Sequence, residues 1–309
     1  MLPVAQAQGY AVGAFSPRNT ILIRSVLEAA EQMKSPVIVQ ISENELHWFS
    51  LTAETFAKAF YHLAHDYSVP AVLHLDHTRD MKVILAAIDA GFTSVMIDAS
   101  NLPLDENIKM TSQVVRIAHK SHVSVEAELG RIPSSDNIET NEDSLFYTDP
   151  EEAAFFVDQT GVDALAVSIG TAHGIYRVKQ PRIDLERLIR IRQKTNVPLV
   201  LHGGSGLPAE TIKKAILLPM GGISKVNIAT DLEIAFQRVT QTGRLSQAEV
   251  IQLDPEKLKE AINAVMEVVA KKMRDYICSA GHACDYAKIR VSDAPWLQKL
   301  NRGFPEDDK

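Results

Sequence analysis

Five short stretches of the 309-residue chain concentrate side chains that ligate metals or move protons. They are His74-Leu75-Asp76-His77, Asp98 after a Val-Met-Ile run, Glu126 and Glu128 in EAELG, His173 in GTAHG, and His202 in LHGGSG. Three imidazoles from distant stretches, with carboxylates beside them and no cysteine cluster, suit a catalytic Zn²⁺ that keeps one position open for substrate. By position His77, His173 and His202 are the candidate ligands, because each closes an apolar run next to a glycine or a carboxylate. His74 lies two residues before Asp76 and shares its direction on a strand, which fits support of the site and plain packing equally. His62, His65, His119, His122 and His282 fall on helical stretches or their edges and read as ordinary surface or core residues. Two further stretches could hold a phosphate ester through free backbone amides: His202-Gly-Gly-Ser-Gly-Leu-Pro and Asn227-Ile-Ala-Thr-Asp. The plain alternatives are a tight turn for GGSG and a helix-capping role for Thr230.

The elements that must bring these residues together alternate regularly. Short Val/Ile/Ala-rich runs at 10–15, 36–41, 71–75, 94–97, 123–129, 164–169, 198–202 and 223–228 predict strands. Amphipathic stretches at 20–33, 52–67, 81–90, 104–119, 150–159, 184–194 and 209–217 predict the helices between them. Eight such units favour an α/β fold closed as a (β/α)8 TIM barrel, with strand C-terminal ends gathering the chemistry at one mouth. An open doubly wound sheet would carry a glycine-rich phosphate loop after its first strand, and the segment there reads SPRNT. The helical stretch 253–280 is expected to pack outside the barrel as additional C-terminal helices, so that 1–309 forms one domain with an extension over about 240–309. The connections 131–148 and 171–183 follow strands and are expected over the mouth.

Composition narrows the partners. With 32 basic and 39 acidic residues, a net charge of −7, the chain offers no broad attraction to nucleic acid or anionic lipid. No window approaches 18 uninterrupted apolar residues and the start MLPVAQAQGY lacks a basic segment before an apolar run, so neither membrane spanning nor export is expected. Two cysteines, Cys278 and Cys284, cannot build a disulfide framework, which fits a reducing cytoplasmic setting.

The set HLDH, EAELG, GTAHG(I)Y, LHGGSG and KVNIATDL, in this order, resembles the class II zinc-dependent ketose-bisphosphate aldolases, nearest the tagatose-bisphosphate aldolase branch, from about Gly13 to Ala280. The resemblance implies a barrel that cleaves a phosphorylated ketose reversibly to dihydroxyacetone phosphate and an aldehyde through a zinc-stabilised enediolate. It implies His77, His173 and His202 as zinc ligands, Asp76 as general acid/base, and Glu128 with Asp98 as an alternative metal position. Ser42, Gly174, Gly203, Ser205, Asn227 and Thr230 fall on positions that hold the substrate. It further implies a homodimer or homotetramer and a possible monovalent cation assisting the phosphate.

Departures from the family pattern cluster on the aldehyde side: Phe15-Ser16 stands where the family has FN, Thr78 follows HLDH in place of glycine, and Asp98-Ala99-Ser100 replaces DGS. In RIPSSDNIETNEDS no glutamate aligns with the family's protonating one, and Glu139 and Glu142 are the candidates. The dihydroxyacetone phosphate half is therefore expected to be retained and the aldehyde partner to be unusual. Arg18, His47 and Trp48 are candidates to contact that partner. Two other readings are a non-catalytic barrel that kept metal and phosphate sites, and a Schiff-base aldolase using Lys225, which would leave the three histidines unexplained.

Overall fold

The β-branched runs pair in parallel, each with its sequence neighbours, and the last returns to the first, so that eight strands among the described residues close into a barrel. The structure, a computed structural model, describes residues 1–133, 146–174, 176 and 183–286. The strands are β1 (Val12–Phe15), β2 (Val37–Ser42), β3 (Ala71–Thr78), β4 (Ser94–Ile97), β5 (Ser124–Leu129), β6 (Ala164–Val167), β7 (Leu199–Leu201) and β8 (Ile223–Ile228). The helices that follow them outside are α2 (Ile23–Met33), α3 (Glu43–Trp48) with α4 (Ala53–Ala64), α5 (Met81–Asp89), α6 (Leu104–Ala118), α7 (Pro150–Thr160), α8 (Leu185–Lys194), α9 (Ala209–Ile216) and α10 (Thr230–Thr240). Helix α1 (Leu2–Gln8) precedes the barrel, and α11 (Gln247–Ile251) and α12 (Pro255–Asp275) close it outside. The expected (β/α)8 barrel with additional C-terminal helices is the architecture observed.

Local chemistry sets the boundaries. Helix α7 begins where Asp149 accepts from the amides of Glu151 and Glu152 and Pro150 presets the first turn. It stops at Gly161, whose φ of 65° an L side chain adopts only at a cost. Helices α1, α3 and α11 were not expected from the periodicity. Two of them carry a legible signal, since Ser42 with Glu45 and Ser246 with Glu249 form capping boxes.

Core packing has two regions. An apolar shell between sheet and helices holds most of the buried side chains. Within the barrel, Met96, Ala164, Ala166 and Val200 fill one part of the interior, Val12, Ala14 and Ile38 another, and Leu2 of α1 packs against both sets. The interior then turns polar, with Gln40, His74, Glu126 and Lys225 each no more than 2% exposed. Among the described residues no helix is long and apolar enough to cross a membrane.

One strand departs from expectation where it matters. The run 71–75 extends as β3 through Thr78, so HLDH lies inside the strand and not after it. Leu75 pairs with Val95 and Thr78 with Ile97, so β3 carries one extra residue against β4 there. His77, within that irregularity, has a φ of +32°. In an unbroken strand Asp76 and His77 would face opposite sides of the sheet; the bulge lets both reach the barrel mouth.

Candidate active site

The three candidate ligands converge. Ring nitrogens of His77, His173 and His202 lie within 4.8 Å of one another. Their ring centroids are separated by 4.7 Å for His77–His173, 4.5 Å for His77–His202 and 5.7 Å for His173–His202, with near-perpendicular planes. His202 follows β7, His173 follows β6 and His77 sits on the bulge of β3, so three strand ends supply one cluster.

The second nitrogen of two of these rings is engaged by a carboxylate. His77 Nδ1 lies 3.2 Å from Asp98 Oδ2, leaving Nε2 to face His202 Nδ1 at 2.6 Å. His202 Nε2 lies 2.9 Å from Glu126 Oε1. Carboxylates on the far nitrogens fix ring orientation and leave the near ones for a metal, the usual support of histidine ligands. Charge also fits: burial opposes protonation of His77, but Asp76, Asp98 and Glu128 outweigh it and hold its pKa at about 10. Burial, followed by the His77 charge, pushes His173 and His202 below the ordinary imidazole value. The negative charge around these three imidazoles favours a cation, and the donor set they offer fits Zn²⁺.

Glu128 and Asp98 form a third side of the site. Glu128 Oε2 is buried without a hydrogen-bond partner among the described residues and lies 3.9 Å from His77 Nδ1. Burial first, and Asp98 next, push its carboxyl up to about 8. Asp98 is held well below the usual carboxylate range: burial would raise it, but His77, Ser100 and Arg79 prevail. His77, Asp98 and Glu128 offer ligand atoms within 4.8 Å of one another.

Asp76 lies beside the cluster, sharing the Asn227 side-chain amide with His202. Its Oδ2 accepts from Gln40 Nε2 at 3.1 Å and its Oδ1 from Asn227 Nδ2 at 3.0 Å. Burial would raise its carboxyl, but His77, His202 and Lys225 bring it below the ordinary value, so it is ionised at neutral pH. Gln40 Nε2 also donates to Ser16 Oγ at 3.2 Å, while Gln40 Oε1 and Asn227 Oδ1 are buried acceptors without a partner among the described residues. Gln40, a polar residue in the apolar run VIVQIS, was not singled out in the sequence, although that interruption two residues before Ser42 was its signal.

The remaining expected positions gather around the same mouth. Ser42 pairs in register with Asp76, and its Oγ accepts from the Glu45 amide at 3.2 Å as the cap of α3. Gly203 has a φ of 65°, and a Cβ there would overlap the Ala172 carbonyl. Tyr176, within GTAHG(I)Y, ties the loop after β6 to that after β7: its hydroxyl accepts from the Ala172 amide and donates to Gly203 O, both at 2.9 Å. Gly174, with φ of 103°, lies between these tethered residues. Ser205 Oγ accepts from the Asp231 amide at 3.2 Å, which sets GGSG against the start of α10. The cap of α10 is Ala229, without a side-chain bond, so Thr230 is the first helical residue and not the cap.

Several candidates lie elsewhere. Arg18 pairs with Glu45 at 3.2 Å and with Glu233, so its charge is taken up within the fold. Trp48 is half exposed beneath the Arg244 guanidinium, 4.8 Å from the ring centre, and His47 is exposed. Lys225 is ion-paired with Glu126 at 2.7 Å and does not stand as a free amine. Glu139 and Glu142 lie outside the described residues, as do most residues of the two long connections.

An α/β barrel with an imidazole cluster and an ionised, buried carboxylate at its strand ends has the frame of a barrel enzyme working at that mouth. The family model for class-II fructose-bisphosphate aldolase matches residues 1–282, and the chain belongs to that family. It is a carbon–carbon lyase. It is similar to the YdjI aldolase from Escherichia coli K12, at 35% identity over 90% of this chain and 96% of that one, with a TM-score of 0.77. It is also similar to a fructose-bisphosphate aldolase from Campylobacter jejuni, at 27% identity over 89% and 93% of the two chains, with a TM-score of 0.72.

Proposed function

We propose that this enzyme catalyses the zinc-dependent, reversible cleavage of a phosphorylated ketose to dihydroxyacetone phosphate and an aldehyde. The observation that carries the reading is the meeting of His77, His173 and His202 beside an Asp76 whose two oxygens are fixed by Gln40 and Asn227. His77 and His202, with His173, would hold Zn²⁺, with Asp98 and Glu128 as a second position. When bound, that ion supplies a Lewis acid for the charge left on the ketone fragment.

The chain's own groups account for the rest. In the cleavage direction Asp76 takes the hydroxyl proton from the carbon that becomes the aldehyde, the adjacent carbon–carbon bond breaks, and its electron pair passes to the ketone fragment. Asp76 suits this role because it is ionised at neutral pH and held in one orientation by two amides. Asn227 Oδ1 and Gln40 Oε1 are acceptors in place for substrate hydroxyls. The phosphate would rest between GGSG and the uncapped start of α10, with Gly174, Gly203, Ser205 and Thr230 around it. The departures from the family pattern at Ser16, Thr78 and Ala99 support a reading in which the aldehyde is the part of the substrate that differs.

Retro-aldol assays on a panel of ketose mono- and bisphosphates test the reading. Asp76→Ala is expected to lower kcat by about 10²–10⁴, and chelation to abolish turnover until Zn²⁺ is returned. Cleavage that survives both treatments would overturn it.

A further inference from the structure

Beneath the imidazole cluster the barrel interior holds a charged group for which the aldol chemistry has no use. Lys225 on β8 is 1% exposed. Its Nζ donates to Glu126 Oε2 at 2.7 Å and lies 3.1 Å from His74 Nε2. His74 Nδ1 is 2.8 Å from Ser94 Oγ, and Glu126 Oε1 is 2.9 Å from His202 Nε2. Strands β3, β4, β5 and β8 therefore meet in one line of hydrogen bonds that ends on a candidate metal ligand.

That line has one consistent placement of protons. An ammonium only donates, so His74 Nε2 must accept from Lys225 and carry its own proton on Nδ1, which donates to Ser94. Glu126 accepts from Lys225 through one oxygen and, as a carboxylate, accepts through the other from His202 Nε2–H. His202 is then left with a lone pair on Nδ1, the atom facing His77 Nε2 at 2.6 Å. Rotation about the Glu126 Cγ–Cδ bond moves both carboxylate oxygens together, so holding Oε2 on Lys225 also holds Oε1 on His202.

We propose that Lys225 is a positioning residue for the metal site: through Glu126 it holds His202 in the Nε2–H tautomer, with Nδ1 presented to His77 and His173. The inference rests on the reading of His202 as a metal ligand. Lys225 is thus the inward-facing lysine that a Schiff-base enzyme would have used, engaged here in building the metal cluster instead.

The test uses the full chain labelled with ¹⁵N-histidine, with zinc affinity measured by competition against a chelator and ring tautomers read from two-bond ¹H–¹⁵N spectra of the metal-free protein. Lys225→Met is expected to weaken zinc binding about 10–100-fold and to move the His202 ring nitrogens away from the Nε2–H pattern. Glu126→Gln should weaken binding to a similar degree. The double variant Lys225→Met/Glu126→Gln should bind no more weakly than Glu126→Gln alone, because the lysine acts only through that carboxylate. The double variant buries no unpaired charge, so its zinc affinity and His202 spectrum stay readable even where a single variant fails to fold. Wild-type affinity and an unchanged His202 spectrum in Lys225→Met would overturn the proposal, as would losses that multiply in the double variant. A wild type that takes up no zinc would overturn the metal reading instead, while the tautomer spectra would still report on the Lys225–Glu126–His202 line.

Discussion

At His77 a proton and a metal ion compete for one ring nitrogen. Two imidazole lone pairs cannot face each other across the 2.6 Å between His77 Nε2 and His202 Nδ1, so a proton lies between them in the metal-free protein. It belongs to His77, whose pKa of about 10 keeps it protonated at pH 7, whereas burial leaves His173 and His202 neutral. Zinc binding at pH 7 should therefore release at least about one proton, and affinity should rise about tenfold per pH unit below pH 10. Low pH favours the proton and high pH the metal, because the group that must be vacated titrates above neutrality. Glu128, pushed up to about 8, gives a second proton where the ion's charge reaches it, and Glu128→Gln should remove that part. Calorimetry in buffers of different ionisation enthalpy counts these protons; zero release at pH 7 would contradict the arrangement.

Among the elements, β3 and the loop after β7 do most to shape the site, and they were unequally legible. The strand runs, their order and the clustering of His77, His173 and His202 at strand ends followed from period and composition, because a barrel sends the end of every strand to one mouth. The bulge in β3 did not, since a period-two reading has no place for an extra residue, and it is what allows neighbours Asp76 and His77 to reach the same mouth. Nor did the line from Ser94 to His202 show in the sequence, because its links join residues 20, 151, 99 and 76 positions apart. In the loop after β7, however, the glycine of LHGGSG was a sound signal. Gly203 has a φ of 65° and its Cα faces the Ala172 carbonyl, so Gly203→Ala must displace a loop that carries both His202 and Ser205. Strain of about 1–3 kcal/mol is expected, seen as a lower Tm and as a KM for the phosphorylated ketose raised about tenfold or more. An unchanged KM would show that this loop does not hold the phosphate.

For the whole molecule the question is whether the C-terminal helices are an appendage or part of the catalytic barrel. Helix α12 lies across α2 and α10, burying Ala261, Val265, Val269 and Met273 in the shell that surrounds the sheet. Just beyond it, the Tyr276 hydroxyl donates to the Gly204 carbonyl in the loop after β7, and Ile277 O accepts from the Ala11 amide before β1. Gly281 and Ala283 bond the end of α2 through Met33 O and Lys34 O. One packed core and these backbone links lead us to propose that barrel and extension unfold as one cooperative unit. Met273→Ala, at a fully buried position of α12, should then cost roughly 2–5 kcal/mol through the cavity it leaves. It should lower Tm by several degrees, with far-UV circular dichroism and the release of bound metal shifting together. A first transition that melts helix while metal stays bound would show that α12 comes away from an intact barrel, and the extension would then be a separable part.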